Sequence, residues 1–190
     1  MTSDISVPIE TTRLIIRPYR TDDAIWYHKM SLGNKEHLER YESENPIVSI
    51  RTESDAENTI KDFISLWDEQ KYRFLGVFLK DTDDFVAQIY LGKLDDRLPE
   101  FGIGYIAEVE HEGNGYVTEA VRAVVKELFE NAKAHRIQIE TDDTNARSIG
   151  VAERCGFVKE GHLRQNKKHP DGTYSGTLFY GLLKSEFQIE

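Results

Sequence analysis

The heptapeptide Glu112-Gly113-Asn114-Gly115-Tyr116-Val117-Thr118 gathers residues suited to holding an anion. Two glycines let the backbone come close to a ligand and reach conformations closed to other residues. A helix start follows them. Val117, Ala120, Val121, Val124, Val125, Leu128, Phe129 and Ala132 keep to one helical face. The first-turn N–H groups of a helix lack partners within it, and the helix dipole adds partial positive charge there. A pyrophosphate would fit such a site. The turn is not a P-loop, because no Gly-Lys-Ser/Thr follows, and it lacks the six-residue dinucleotide fingerprint. A Gly-X-Gly before a helix is also compatible with an ordinary strand-to-helix turn.

The flanking segments position this turn. A strand over 100–109 precedes it, and the alternation of Ile137-Gln138-Ile139-Glu140 predicts a strand after the helix. The three form a βαβ unit with parallel strands. Upstream, a strand over 12–18 ends at Pro18, and Thr21-Asp22-Asp23 caps a helix over 22–30. Residues 31–50 read as irregular, with a short helix and a loop. Ser54 and Glu57 match a capping box, and Ala56, Ile60, Phe63, Ile64 and Trp67 form one helical face behind it. Arg73–Lys80 and Phe85–Leu91 read as strands joined at Asp81-Thr82-Asp83-Asp84, and Asp95-Asp96 marks a further turn. A short helix over 146–155 ends at Gly156, and strands near 157–163 and 176–184 close the chain. The order β-α-α-β-β-β-α-β-α-β-β predicts a mixed α/β fold. No Gly/Ser-rich or Pro-rich linker divides it, so 1–190 reads as a single domain.

Composition narrows the function. The single Cys excludes an internal disulfide framework, and 39% hydrophobic residues, including nine Phe and nine Tyr, suffice for a core. With 24 Lys+Arg against 34 Asp+Glu the net charge is −10, which disfavours nucleic acid. The same charge suits cationic partners, or simply keeps the chain in solution. The six His show no paired spacing, so no metal site is expected. Met1-Thr2-Ser3-Asp4-Ile5 has neither the basic nor the apolar region of a secretory signal, and no apolar run approaches membrane-spanning length. The expected compartment is the cytoplasm, without membrane attachment. Monomer and homodimer both stay open.

Several motifs occur in a telling order: Gly104-Tyr105-Ile106-Ala107, Gly113 through Ala120, Asn145-Ala146-Arg147-Ser148, Cys155-Gly156-Phe157 and Glu160-Gly161. With Glu10-Thr11-Thr12-Arg13-Leu14 at the start and Leu182 through Phe187 at the end, the chain resembles the GNAT acyltransferase superfamily. The likeness is greatest to its ribosomal-protein N-terminal acetyltransferase branch, whose relatives include polyamine and antibiotic acetyltransferases. The resemblance implies a GNAT-like fold: a central, mostly antiparallel twisted sheet with a splayed parallel pair and flanking helices. It also implies acetyl-CoA as cosubstrate and transfer of the acetyl group to a primary amine by direct attack. The acceptor would be a protein or peptide N-terminus, or a cationic small molecule. By the same likeness, the backbone amides of Gly113, Asn114, Gly115, Tyr116, Val117 and Thr118 hold the pyrophosphate. Ile106 and Ala107 pair with pantetheine through their main chain, and the Asn145 side chain contacts it.

The chain departs from the pattern in several places. Glu112 stands where Gln, Arg or Trp is usual, Val117 where a small residue is usual, and Gly102 where a Glu is common. The Tyr that many members use to protonate the leaving thiolate is replaced by Ala152, which turns attention to Ser148. Ser148, Glu100 and Tyr180 are the candidate catalytic residues. Ser148 would donate to the sulfur or merely cap a helix. Glu100 would accept the amine proton, anchor a cation or stand exposed, and Tyr180 would contact the site. Tyr105 reads as packing, His111 as a loop residue, Cys155 as a structural thiol, and Lys167-Lys168-His169 as a solvated loop tip. The departures also motivate a second reading, an acyl-CoA-binding or regulatory protein without turnover on the same fold.

Overall fold

Helical spacing of small and branched apolar residues drives one face of α4 (Tyr116–Glu130) into the core, where Ala120, Val121, Val124, Val125, Leu128 and Phe129 are all buried. The computed structural model describes residues 5–41, 45–68, 72–95, 97–169 and 171–187. Asp96 of the Asp95-Asp96 turn lies outside them. Ahead of α4 come β1 (Ile9–Glu10), β2 (Leu14–Pro18), α1 (Ala24–Tyr41), α2 (Pro46–Ser49), α3 (Glu53–Asp68), β3 (Tyr72–Leu79), β4 (Phe85–Asp95) and β5 (Glu100–Ala107). After it come β6 (Arg136–Asp142), α5 (Ala146–Arg154), β7 (Val158–Lys168) and β8 (Tyr174–Leu183).

The strands form one eight-stranded sheet in the order β1-β2-β3-β4-β5-β6-β8-β7. Every neighbouring pair is antiparallel except β5 and β6, as expected for the βαβ unit. That parallel pair is bonded only where Glu100, Phe101 and Gly102 face Arg136, Ile137 and Gln138. Beyond this point β5 stays on β4 as far as Ala107, while β6 stays on β8 as far as Asp142. The two strands therefore part, and each keeps its backbone satisfied on its outer side. One core cluster packs α4 and α5 residues with Leu75, Ile89 and Ile139 of the sheet. A second packs α1 and α3 residues with Phe78, Phe85 and Ile106.

Three expectations need correction. The helix predicted over 22–30 runs on to Tyr41, because its buried stripe includes the polar Ser31 and Asn34 and so hides its periodicity. Ser31 Oγ donates to the His28 carbonyl at 2.7 Å and Asn34 Nδ2 to that of Met30 at 3.0 Å, which makes burial tolerable. The box opening α3 is Thr52 with Asp55, not Ser54 with Glu57: Asp55 N–H donates to Thr52 Oγ1 and Thr52 N–H to Asp55 Oδ2. Finally, β7 extends to Lys168, so Lys167 and Lys168 lie on a strand rather than on a loop tip.

A buried ion pair anchors the start of α1. Asp23 receives both Arg17 Nη1 and Nη2, at 2.8 and 3.0 Å, and the Arg17 guanidinium lies 3.9 Å from the Phe78 ring centre. Arg20 N–H and Trp26 Nε1 also donate to this carboxylate.

Gly104 shows a close approach. Tyr90 faces it across the β4–β5 ladder, and a Cβ there would sit 1.9 Å from Tyr90 Cζ. Gly104→Ala must displace the ring and is expected to cost about 1–3 kcal/mol of stability. Urea unfolding checks this: a midpoint equal to the parent's would mean that Tyr90 moves aside freely.

Candidate active site

The parted strands open a cavity of about 720 Å³. Gly104–Ala107 line it from β5, Ile139–Asp142 from β6, and Asn145–Ser148 from the start of α5. His37, Leu38 and Tyr41 of α1 and Tyr90 of β4 also line it. So do Glu112, Gly113 and Gly115 through Thr118, which bring the N-terminus of α4 to the same space.

That helix end is built to receive an anion. Gly113 and Gly115 take φ of +80° and +78°, in the left-handed region that glycine enters without penalty. Gly115 is the N-cap and has no side chain to occupy the first-turn N–H groups, which stay available to a ligand. The first helical bond is Glu119 N–H to the Gly115 carbonyl, at 3.1 Å. Asn114 braces the turn, its Nδ2 donating to the carbonyls of His111 and Glu112. It does not line the cavity.

Arg13 holds the turn from outside, a role the sequence reading did not assign. Its Nη1 donates to the Asn114 carbonyl at 3.2 Å, and its guanidinium lies 4.5 Å from the Tyr116 ring centre. Glu119 fixes that arginine through Nε at 2.7 Å, and Thr11 Oγ1 also donates to Glu119. Arg13 falls within the opening motif, but nothing local signals its distant partners.

Ser148 sits in the cavity wall with a partner. Tyr105 Oη donates to the Ser148 carbonyl at 2.9 Å, and Ser148 Oγ donates to Tyr105 Oη at 3.3 Å. Tyr105, expected only to pack, therefore orients the first turn of α5. Asn145 is the N-cap of that helix, its Oδ1 accepting Ser148 N–H at 3.1 Å. Ile106 and Ala107 lie on the stretch of β5 that β6 leaves unpaired.

Other candidates stand elsewhere. Glu100 is at the closed end of the parallel pair, where it accepts from Arg136 Nε at 2.7 Å. Arg136 also pairs with Glu160. Tyr180 is 2% exposed and donates to Glu153 Oε1 at 3.3 Å, and burial and that carboxylate push its pKa up. Neither Glu100 nor Tyr180 lines the cavity. Burial pushes the Cys155 thiol up to about 11, so it is protonated at neutral pH, as a structural thiol would be. His111 lines the cavity and bonds Glu108 through Nδ1.

Glu112 is paired rather than turned to solvent. Its Oε2 accepts from Arg147 Nη1. The sequence reading also passed over Asp142, which is buried and lines the cavity. Desolvation opposes its charge, but donors from Ser175 and Thr144 outweigh it and hold its pKa below the usual value. Lys167 lines the cavity too, with Nζ 4.0 Å from Asp142 Oδ2.

Comparison with known proteins agrees with this geometry. Residues 13–158 match the acetyltransferase (GNAT) domain family. The chain belongs to that family. The Bacillus subtilis protein named "Probable N-acetyltransferase YjcK" is 37% identical over 101 residues, 53% of this chain and 55% of its own length. The chain thus spans about half the length of this relative and of a second from the same organism, 55% and 56%. Among solved structures, RimL, named as a ribosomal L7/L12 alpha-N-protein acetyltransferase in complex with coenzyme A, matches with a TM-score of 0.82 at 18% identity. It covers 95% of this chain and 98% of that one. The microcin C7 self-immunity acetyltransferase MccE, in complex with acetyl-CoA and AMP, gives 0.81 at 18% identity over 94% and 99%. Both likenesses carry the fold, and the expected sheet with a splayed parallel pair is the one observed.

Proposed function

We propose that this chain, acting as one domain in the cytoplasm, transfers the acetyl group of acetyl-CoA to a primary amine. The observation that carries this reading is the opening between β5 and β6, which runs to an uncapped helix N-terminus. In this reading the pyrophosphate accepts from the first-turn amides of α4, and pantetheine pairs with the free edge of β5 at Ile106 and Ala107. The thioester then lies near Ser148.

A neutral amine attacks the thioester carbonyl, the C–S bond breaks, and the proton shed by the amine nitrogen balances the one gained by the thiolate. No covalent enzyme intermediate is needed. Ser148 Oγ turns its one proton from Tyr105 Oη to the developing thiolate, while Tyr105 Oη keeps hold of the Ser148 carbonyl. Glu100, held by Arg136, supports the closed end of the parallel pair rather than the reacting atoms. Tyr180 packs behind α5.

The acceptor we favour is a protein N-terminal amine. RimL is named for that chemistry, whereas the net charge of −10 suits any cationic acceptor and does not choose among them. His37, Leu38, Tyr41 and Tyr90 would form its walls. A thiol-release assay with acetyl-CoA and ribosomal-protein N-terminal peptides, spermidine and an aminoglycoside tests the reading. Release above background is expected with the peptides; none with any amine would sink it. The reading without turnover rests on the departures at Glu112, Val117, Gly102 and Ala152, and the pairing of Glu112 with Arg147 answers the first of them.

Gly115→Val places a β-branched residue at φ +78°. Such strain costs about 1–3 kcal/mol. Calorimetry should therefore show acetyl-CoA binding weakened by about tenfold to a hundredfold. Unchanged affinity would move the coenzyme away from this turn.

A further inference from the structure

Glu112 carries its charge where the proposed coenzyme would carry its own. Its side chain is only 20% exposed, it lines the cavity, and it immediately precedes the left-handed Gly113. A pyrophosphate resting on the first turn of α4 would meet a carboxylate of like sign. At contact range and partial burial, that repulsion weakens binding by about tenfold or more. The carboxylate does not escape into water. It is held by the guanidinium of Arg147, from the first turn of α5 and 35 residues away in sequence.

We propose that Arg147 is a positioning residue for the coenzyme, acting by cancelling the Glu112 charge and holding that carboxylate against α5. The inference rests on the acetyl-CoA reading above and adds a residue to it. Arg147 itself is 72% exposed and stands beside Ser148, so the same ion pair ties the pyrophosphate turn to the helix that carries the proposed thiolate donor. Exposed ion pairs contribute little to stability. The value of this one lies in what Glu112 would do to a bound anion if left alone. It also accounts for a family departure: a carboxylate is tolerable at position 112 because a cation stands at 147.

A double-mutant cycle read by calorimetric titration with acetyl-CoA tests this. Arg147→Met keeps the aliphatic stem and should raise Kd about tenfold or more at low salt, a penalty that shrinks in 1 M NaCl. Glu112→Gln alone should bind as the parent does or more tightly. The double variant should return to within about threefold of Glu112→Gln. S-acetylpantetheine, which lacks the pyrophosphate, supplies a control that a general packing defect would fail: its KM should not change in Arg147→Met.

A double variant as weak as Arg147→Met would mean that Arg147 grips the coenzyme directly, and would overturn the proposal. So would parent-like binding by Arg147→Met. If the parent chain binds no acetyl-CoA, the coenzyme site falls and this inference with it. If the parent binds and Glu112→Gln fails to rescue, only the inference falls.

Discussion

Ser148→Ala should lower kcat by about 10²–10³-fold while leaving the KM for acetyl-CoA within about threefold, because it removes a donor aimed at charge that develops only in the transition state. Ser148 is the hydroxyl that the cavity wall presents from the first turn of α5, and its backbone is fixed on both sides. Asn145 Oδ1 accepts its N–H at 3.1 Å, and Tyr105 Oη donates to its carbonyl at 2.9 Å. Both bonds survive the substitution, so the fold should hold while the chemistry fails. Tyr105→Phe removes both of its bonds to Ser148, the one to the carbonyl and the one from Oγ, but leaves the Ser148 hydroxyl in place, and a smaller loss of about tenfold is expected. Ser148→Thr, which keeps a hydroxyl, should recover part of the rate. Steady-state kinetics with a peptide acceptor checks all three. A Ser148→Ala variant with parent kcat would leave the thiolate to water and remove Ser148 from the mechanism.

The second large effect concerns stability. Asp23→Ala should cost about 3–5 kcal/mol, since it strands a buried cation. Arg17 is 9% exposed, and its guanidinium lies between the Asp23 carboxylate and the Phe78 ring. A domain of this size has about 5–15 kcal/mol in all, so the loss should be plain in a urea midpoint at neutral pH. Removing both partners, as Arg17→Met with Asp23→Ala, should be far milder than Asp23→Ala alone. If the two variants unfold at the same urea concentration, the pair does not act as a unit.

The same pair predicts a pH dependence. Burial by itself would raise the Asp23 pKa, but hydrogen bonds from Arg17 and from the Arg20 N–H, with the Arg17 charge, bring it below the usual value. The folded state therefore holds this proton less tightly than the unfolded chain does. Its contribution to stability is complete above the unfolded value, near pH 4, and is lost as the pH falls through the lower folded value. Asp23→Asn should show a shallower loss of stability below about pH 4 than the parent. The consequence reaches the cavity, because the helix that starts here ends in His37, Leu38 and Tyr41.

Much of the scaffold was legible from residue order because it depends on local properties. Helical period and side-chain volume placed α4, and Gly113 and Gly115 marked the only kind of residue that takes their backbone angles without strain. The strands flanking α4 were expected to be parallel, and they are. The resemblance then pointed to acetyl-CoA and to a set of residues of which Ile106, Ala107, Gly113, Gly115 through Thr118, Asn145 and Ser148 line one cavity, while Asn114, Glu100 and Tyr180 do not. Polar residues under a helix defeat the same logic, which is why α1 runs past its predicted end: Ser31 and Asn34 are buried by satisfying backbone carbonyls that no hydrophobic period reveals.

Pairing across distance was not legible. Glu100, between Pro99 and Phe101, and Glu112, just before Gly113, are both carboxylates, and nothing near either states its partner. Folding gives Glu100 to Arg136, at the closed end of the parallel pair, and Glu112 to Arg147, at the cavity. Tyr105 looks like any alternating strand aromatic until β5 and β6 part and α5 comes within reach of its hydroxyl. Side-chain period and backbone freedom are set within a few residues. Which charge meets which, and where two strands separate, depends on contacts between segments that only the folded chain brings together.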